Sequence, residues 1–534
     1  MTLANYVARS ASRPKLCPKP IDLGNGLVLR RATREDRDTV AELVSDVLGD
    51  QGADAAPVRA GFALFARNYF DHIEGAPHPT ADWESWTVVM DGDKLASCMV
   101  SVPQIWTYGD GDDFTSTGGS PRVALTVMRA ELVGTDPAYR AKGLVRRQFA
   151  VHHAWAEELE SPMQIIMGIR SYYRQFGYAY AMGLSGGRSG TLASLPPASA
   201  AVGYALRRAT KHDVAFLTDT QRHSASRHAL AYDWGREEWN YALEGTFQPY
   251  HYWIVEREGK PVAFAKTDSR WWAEGGASEN DRGNSPEVRR IEIAKGQAWT
   301  AVAPAVFRLL AELAAAELHD QIRVKENEEH TGIITEGVPM QPVADPLAIL
   351  PASWSYKLNS GPTHPVYISC AAYLPNSTQG YAYYTRFSVS LLLPVITPVL
   401  THRIARSPFA FHTGILTILA RDRNDPGHVL VFDSGNVTYQ VGDAPKDVRF
   451  KDRAGRKEDA VLFPATTFYS IVTGYHSVGQ VLEMFPDAGV KVWTTSQLTL
   501  TGGRIVASRY TTHTKHSTMP TPPATSRFPI GAEG

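Results

Sequence analysis

The chain has 534 residues, a formal net charge of −1 and three cysteines. That length exceeds what one core organises at ~100 to 200 residues per domain, so three domains are expected. The balanced charge offers no polyanion-binding surface, which sets nucleic acid aside as a partner. Cys17, Cys98 and Cys370 are far apart, without metal-ligand or disulfide-framework spacing, so the expectation is no metal and a reducing compartment, the cytoplasm.

Residues 1–20 are basic, polar and proline-containing, without the apolar segment of a secretory signal, and read as a flexible N-terminal tail. Leu27-Val28-Leu29 reads as a strand, and Thr33 with Asp36 resembles a helix N-terminal capping arrangement. Val40, Leu43, Val44, Val47 and Leu48 then make one apolar helix face. A second helix is expected around Val58 to His72, then a hairpin in which Trp86 to Met90 and Leu95 to Val102 flank Asp91-Gly92-Asp93. A glycine-rich loop, Gly109 to Gly119, leads to the strand Val123 to Val133. The turn Tyr139-Arg140-Ala141-Lys142-Gly143-Leu144 opens a helix carrying Leu144, Gln148 and His152. A glycine turn at a helix start leaves backbone N–H groups unpaired at the positive end of the helix dipole, which suits a pyrophosphate. The adjacent His152 and His153 point about 100° apart on a helix and read as surface or packing residues.

Leu184 to Ala200, rich in Gly, Ser, Ala and Pro, reads as a linker. The start of the chain then returns: Leu206 to Asp213 repeats Leu29 to Asp36 with six of eight residues identical, so an internal duplication is inferred. Trp253-Ile254-Val255 before Gly259 echoes Trp86-Thr87-Val88 before Gly92. The basic turn has no counterpart, since Arg289 to Trp299 leads into an alanine-rich helix, Pro304 to Leu318. The second copy therefore reads as structural. From about residue 345 the pattern changes, with strands at Ile415 to Ala420, Val429 to Phe432 and Arg504 to Tyr510 and a helix start within Phe463 to Ser470. The apolar run Leu391 to Leu400 is broken by Pro394 and Pro398, and a membrane span needs ~20 residues, so no membrane partner is expected. The boundaries are 1–20 for the tail, 21–190, 201–344 and 345–510 for three domains, and 511–534 for an extended C-terminal tail.

Arg140-Ala141-Lys142-Gly143-Leu144 is similar to the Arg/Gln-x-x-Gly-x-Gly/Ala acyl-CoA pyrophosphate motif of the GNAT superfamily of N-acetyltransferases, with Val145 departing from the last small residue. Tyr173-Arg174-Gln175-Phe176-Gly177-Tyr178 looks like that family's Tyr-x-x-x-Gly-Phe segment. The duplicated layout resembles the enhanced-intracellular-survival type, which pairs tandem GNAT folds with a third domain similar to a sterol carrier protein. Phe463-Pro464, Gly474-Tyr475-His476-Ser477 and Phe485-Pro486-Asp487 look like that domain's helical signature. The fold class implied is α/β (α+β), tandem GNAT folds with mixed central sheets followed by a sterol-carrier-like domain.

The resemblance implies acetyl-CoA as co-substrate, an amine acceptor, one catalytic domain at 21–190, and a homo-oligomer. Main-chain groups of Val133 and Thr135 would hold the pantetheine arm, and Arg140, Ala141, Lys142, Gly143, Leu144 and Val145 would surround the pyrophosphate. Without the resemblance the turn is an ordinary basic helix cap. Tyr173 is the family's general acid by position, with Tyr172 its competitor, or the two are a pair of core aromatics. Glu131 is a candidate base or a paired structural charge, and the C-terminal carboxylate that serves as base in the survival-type relatives maps to Gly534. Transfer by direct attack in a ternary complex is expected, no cysteine near the site offering a covalent carrier. The other readings are a non-catalytic CoA- or lipid-binding protein and a biosynthetic enzyme using another acyl donor.

Overall fold

The computed structural model describes residues 15–49, 55–70, 78–109, 121–183, 186–245, 250–268, 287–331, 347–361, 364–378, 380, 382–420, 427–442, 458–464, 466–485 and 488–491. Gly534, Arg504 to Tyr510, most of the Gly109 to Gly119 loop and both chain ends lie outside them.

The first unit runs β1 (Ile21–Gly24), β2 (Leu27–Arg31), α1 (Arg37–Leu48), α2 (Ala55–Asn68), β3 (Trp86–Asp91), β4 (Lys94–Gly109), β5 (Arg122–Thr135), α3 (Leu144–Glu158), β6 (Met163–Ile166) and β7 (Ala179–Gly183). The second comprises β8 (Gly187–Thr191), β9 (Tyr204–Arg208), α4 (Val214–Ala225), β10 (Leu230–Tyr232), α5 (Arg236–Glu244), β11 (Tyr250–Arg257), β12 (Lys260–Asp268), β13 (Glu287–Ile293), α6 (Trp299–Thr331), β14 (Ser355–Leu358), α7 (Val366–Ser369) and β15 (Asn376–Thr378). Then come β16 (Ala382–Phe387), α8 (Val389–Ala405), β17 (Gly414–Ala420), β18 (His428–Asp433), β19 (Asn436–Val441), β20 (Glu458–Phe463), α9 (Thr467–Val472), α10 (Val478–Met484) and β21 (Gly489–Lys491).

The duplication is visible as chemistry. In the first copy Arg30 donates both guanidinium NH2 groups to Asp36, at 2.7 and 2.9 Å, while the Thr33 N–H donates to the same carboxylate at 2.7 Å. The second copy repeats this with Arg207, Asp213 and Thr210 at 2.8, 2.7 and 2.8 Å. Each Asp thus caps a helix start and anchors the preceding strand, which accounts for the identical residues.

The two copies exchange strands. Described strands order as β1-β2-β3-β4-β5-β6-β16-β7 in the first sheet, with β10 on the end of β4, and as β15-β8-β14-β13-β12-β11-β9 in the second. β8 leaves the first unit to lie between β14 and β15, and β16 returns to lie between β6 and β7. Hence the glycine-rich stretch read as a linker is in part a central strand. Gly187 and Gly190 are there for close approach: a Cβ on Gly187 would collide with the Leu358 carbonyl and the Tyr367 hydroxyl, and one on Gly190 with the Tyr373 carbonyl and, at 2.6 Å, the Tyr356 ring. The exchange also runs across residue 345, since β14 and β15 complete the second sheet and β16 the first.

The third sheet, β19-β18-β17-β20-β21, packs on the first through α8. The apolar run with its two prolines lies in this 17-residue helix, which buries Leu392, Leu393, Ile396, Val399 and Leu400 between Val127 and Ile165 on one side and Ile418 and Phe432 on the other. Phe463 ends β20, so the helix expected within Phe463 to Ser470 starts at Thr467. Within α6, Trp299–Ala316 is long and apolar enough to cross a membrane by length and composition. Its Val302, Val306, Phe307 and Leu310 are buried in the core of the second unit.

Candidate active site

β5 pairs with β6 only from Val127 to Ala130. β6 then ends at Ile166 while β5 continues to Thr135, so the edge of Glu131 to Thr135 away from β4 has no strand partner. A β-bulge falls in this segment, where the register shifts between Cys98↔Gly134 and Val100↔Glu131 and Leu132 takes φ 48. The bulge puts two successive residues on one face of the sheet. Leu132 packs with α1 and α2, and Val133 joins the cluster on the α3 face with Phe149 and Tyr173. The strand end is pinned from behind: the Ser97 hydroxyl lies 2.8 Å from the Gly134 carbonyl, the Thr135 hydroxyl and Gln148 Oε1. Side chains hold the strand inward, and its backbone edge stays open along the splay.

The splay leads to the basic turn. Ala141 takes φ 61 and Gly143 φ 75, both left-handed, and the alanine carries a cost of ~1–2 kcal/mol for that conformation. The first helical bond runs from Arg147 N–H to the Gly143 carbonyl, and no described backbone carbonyl accepts from the N–H groups of Ala141 to Arg146. Arg140, Ala141, Lys142 and Gly143 are exposed, Val145 is half-buried, and Leu144 is buried together with Gln148 and His152, the helix face expected from the sequence. Lys142 and Lys94 lie over the Tyr139 ring at 4.5 and 5.0 Å, and the Tyr139 hydroxyl donates to Asp91 at 2.8 Å, which stiffens the approach to the turn. The cradle fits an anion of pyrophosphate size: free N–H donors, two cations, and open space above Gly143. His152 is fully buried and His153 half-buried, both packing residues; burial holds both imidazoles down, His153 to about 3, and the Ser101 hydroxyl meets His152 Nδ1 at 2.8 Å.

Tyr173 sits on a 3₁₀ turn, Tyr172–Phe176, flanked by Ser171 at φ 64 and Gly177 at φ 83. It is buried, edge-on to Phe149, Tyr172 and Tyr384 at 5.8, 5.1 and 5.4 Å, and lies against Gly168 just beyond β6. Tyr172 is half-buried beside it, and burial pushes its phenol up. Arg146 ties the two motifs together by donating to Gln175 Oε1 at 2.6 Å. Val133, Val145 and Tyr173 therefore share one cluster.

Glu131 lies on the other face. Arg129 Nε donates to its Oε1 at 2.7 Å and Arg129 Nη2 reaches the same oxygen, while Oε2 takes no partner among the described residues. The sequence reading missed that this pair is duplicated too: on β13, Arg290 Nε donates to Glu292 Oε1 at 2.9 Å with the same spacing. In the second copy Arg227 and, at 3.7 Å, His364 close around the carboxylate. The stretch between strand and helix is also shorter there, five residues against eight, it carries one cation, Lys295, and Gln297 N–H is taken by the Ala294 carbonyl at 3.1 Å. Around Arg129 and Glu131 more surface remains, the Glu131 side chain keeping 10% of its exposure against 2% for Glu292. Half-buried Tyr241, Tyr250 and Lys266 from the second unit and Tyr383 from β16 form a recess there with Tyr69.

Tyr383 and Tyr384 carried no signal in the sequence because β16 is distant in the chain. Across their bulge Tyr384 reaches the Tyr173 cluster and Tyr383 the recess. The Tyr384 hydroxyl also lies 3.2 Å from the Ile169 carbonyl and 2.7 Å from the Tyr180 hydroxyl, holding the loop after β6.

No family model and no curated protein matches the chain. Solved structures do. A GCN5-related N-acetyltransferase from Kribbella flavida aligns over 88% of this chain and 93% of its own, with 13% identity and a TM-score of 0.51. One from Anabaena variabilis aligns over 87% and 94%, with 12% identity and a TM-score of 0.52. The fold is that of the GCN5-related N-acetyltransferases. It is a mixed α/β architecture with mixed central sheets, as the sequence resemblance implied. Within this fold the splay joins two faces of one sheet, the α3 face with the basic turn and Tyr173, and the opposite face with Glu131 and the recess.

Proposed function

We propose that the chain is an acyl-CoA-dependent N-acyltransferase that moves an acyl group, acetyl in the simplest case, onto an amine by direct attack in a ternary complex. The observation that carries this reading is the open edge of β5 running into a turn with unpaired N–H groups, beside Tyr173. Pyrophosphate would bind the N–H groups from Ala141 to Val145, with Arg140 and Lys142 as counter-charges and Leu144 fixing the helix start. The pantetheine amides would pair with the main chain of Val133 and Thr135, as a further strand would. The thioester would then sit in the splay. The amine nitrogen enters from the Glu131 side, attacks the carbonyl carbon, and the carbon–sulfur bond breaks as the thiolate takes the Tyr173 phenol proton. Glu131, with Oε2 open, orients the amine or receives its proton through water. The three free, buried thiols agree with a cytoplasmic setting.

Steady-state kinetics with varied acetyl-CoA and amine test this: intersecting lines are expected, and parallel lines count against direct attack. Calorimetry with acetyl-CoA tests the donor site itself, because a chain without one gives no heat of binding. Tyr173→Phe is expected to lower kcat about 10²-fold while the acetyl-CoA affinity stays within about two-fold.

A further inference from the structure

The recess has a charge pattern that selects among amines. Its carboxylates are matched by guanidinium groups, Glu131 by Arg129 and Asp268 by Arg289 at 2.8 Å, while Arg290 is engaged by Glu292, which it shares with Arg227. Among the described residues that face the recess, one cation has no such match. Lys266 on β12 makes no ion pair or hydrogen bond among the described residues, and its ammonium lies 3.6 Å from the centre of the Tyr250 ring and 5.7 Å from that of Tyr252. It is half-buried and keeps accessible surface, as do Tyr241, Tyr250 and Tyr383. Burial pushes the phenols of Tyr69, Tyr241, Tyr250 and Tyr383 up, so they serve as neutral aromatic walls and donors. An ammonium in an aromatic setting, with no counter-ion among the described residues, is an incomplete ion pair.

Resting on the acyltransferase reading, we propose that the acceptor is an amine that also bears a carboxylate on an aromatic body, with the carboxylate paired to Lys266 and the ring among the tyrosines. Such an acceptor supplies the missing counter-charge and stacks where the recess is aromatic. A polyamine or aminoglycoside would instead add positive charge beside Arg129, Arg289 and Arg290. The groups facing Lys266 are Tyr250 and Tyr252 from β11, Asp268 from its own strand, Arg289 and Arg290 from β13, and Arg129 from β5. Burial first, then Arg290 and Arg289, pull the ammonium down to about 7. Carboxylate binding is therefore expected to weaken as pH rises through that value, with proton uptake on binding.

Calorimetry on the full chain saturated with CoA tests the proposal, using 3-phenylpropionate, L-phenylalanine, 2-phenylethylamine and spermidine as probes. The two carboxylates are expected to bind, and both to bind tighter at pH 6 than at pH 8. Lys266→Met is expected to weaken them about ten-fold or more, and Lys266→Arg to retain them with the pH dependence lost. Equal or tighter binding of 2-phenylethylamine or spermidine overturns the proposal, as does unchanged carboxylate binding in Lys266→Met or no carboxylate binding at all. Acetyl-CoA binding by each variant reports both correct folding and the donor site. If wild type fails to bind acetyl-CoA, the acyltransferase reading fails, whatever the recess binds.

Discussion

Gly168→Ala perturbs the proposed chemistry without touching a reacting group. An added Cβ would lie 2.8 Å from Tyr173 Cε2 and 3.2 Å from its hydroxyl, where ordinary contact begins at 3.4 Å, so the ring must retreat by about 3.4 − 2.8 = 0.6 Å. It has little room, because Phe149, Tyr172 and Tyr384 meet it edge-on. The backbone adds strain, since Gly168 holds φ 154, a conformation L-residues rarely adopt, and the combined stability cost is ~1–3 kcal/mol. Misplacing a reacting group by ~1 Å costs about 10²-fold in rate, so a drop in kcat of about ten- to 10²-fold is expected, with acetyl-CoA affinity within about two-fold. The assay is thiol release under saturating acetyl-CoA, run alongside calorimetry. In a double-mutant cycle Gly168→Ala is expected to have little further effect on kcat in a Tyr173→Phe background. An unchanged kcat, or the same fractional loss with and without the Tyr173 hydroxyl, would falsify the link between this glycine and the phenol.

Other expectations follow from the same geometry. Arg140→Ala is expected to weaken acetyl-CoA about ten-fold in calorimetry while turnover of S-acetylpantetheine, which lacks the pyrophosphate, stays level; equal losses for both donors would move Arg140 away from the phosphates. Gly187→Val, in a true linker, would change stability by less than ~0.5 kcal/mol. Packed against Leu358 and Tyr367 it is expected to cost about 1–3 kcal/mol in denaturant unfolding, and a neutral result would argue against the strand exchange. Burial keeps His152 and His153 neutral in the folded chain, His153 down to about 3, whereas an unfolded histidine takes up a proton near ~6.5. Their contribution is thus present above that pH and lost as pH falls from ~6.5 toward 3. His153→Gln is expected to make urea midpoints fall less between pH 7 and pH 4, and an unaltered acid limb would contradict this.

What the sequence made legible was local. The repeated Leu-Arg-Arg-Ala-Thr start could be read because each residue serves a nearby partner, and Arg30–Asp36 and Arg207–Asp213 are the same cap built twice. The buried face of Leu144, Gln148 and His152 followed from helical period alone. The strand exchange was not legible, because glycines that permit close strand packing have the composition of a linker. The Arg129–Glu131 and Arg290–Glu292 repeat was hidden for a different reason. The turn that follows it is shortened in the second copy, so the register is lost just where the motif would confirm it. Lys266 on β12 of the second sheet and Tyr383 and Tyr384 on β16 of the first are distant in sequence from Arg129 and Tyr173 and meet them only through space.

The exchange explains why a second copy without the basic turn would be kept. β16 cannot leave the first sheet without breaking its ladders to β6 and β7, and β8 cannot leave the second without breaking those to β14 and β15. The two units are therefore one cooperative structure across the splay. On the proposed reading the first copy supplies the donor side, Arg140 to Val145 and Tyr173, and the second supplies Tyr250 and Lys266 to the acceptor side. Two adjacent residues of β16 join them: Tyr384 braces Tyr173, and Tyr383 walls the recess beside Glu131. A change in how β16 seats would then move donor and acceptor geometry together. Tyr383→Ala should accordingly alter KM for the amine before it alters acetyl-CoA affinity, whereas Tyr384→Ala should act first on kcat.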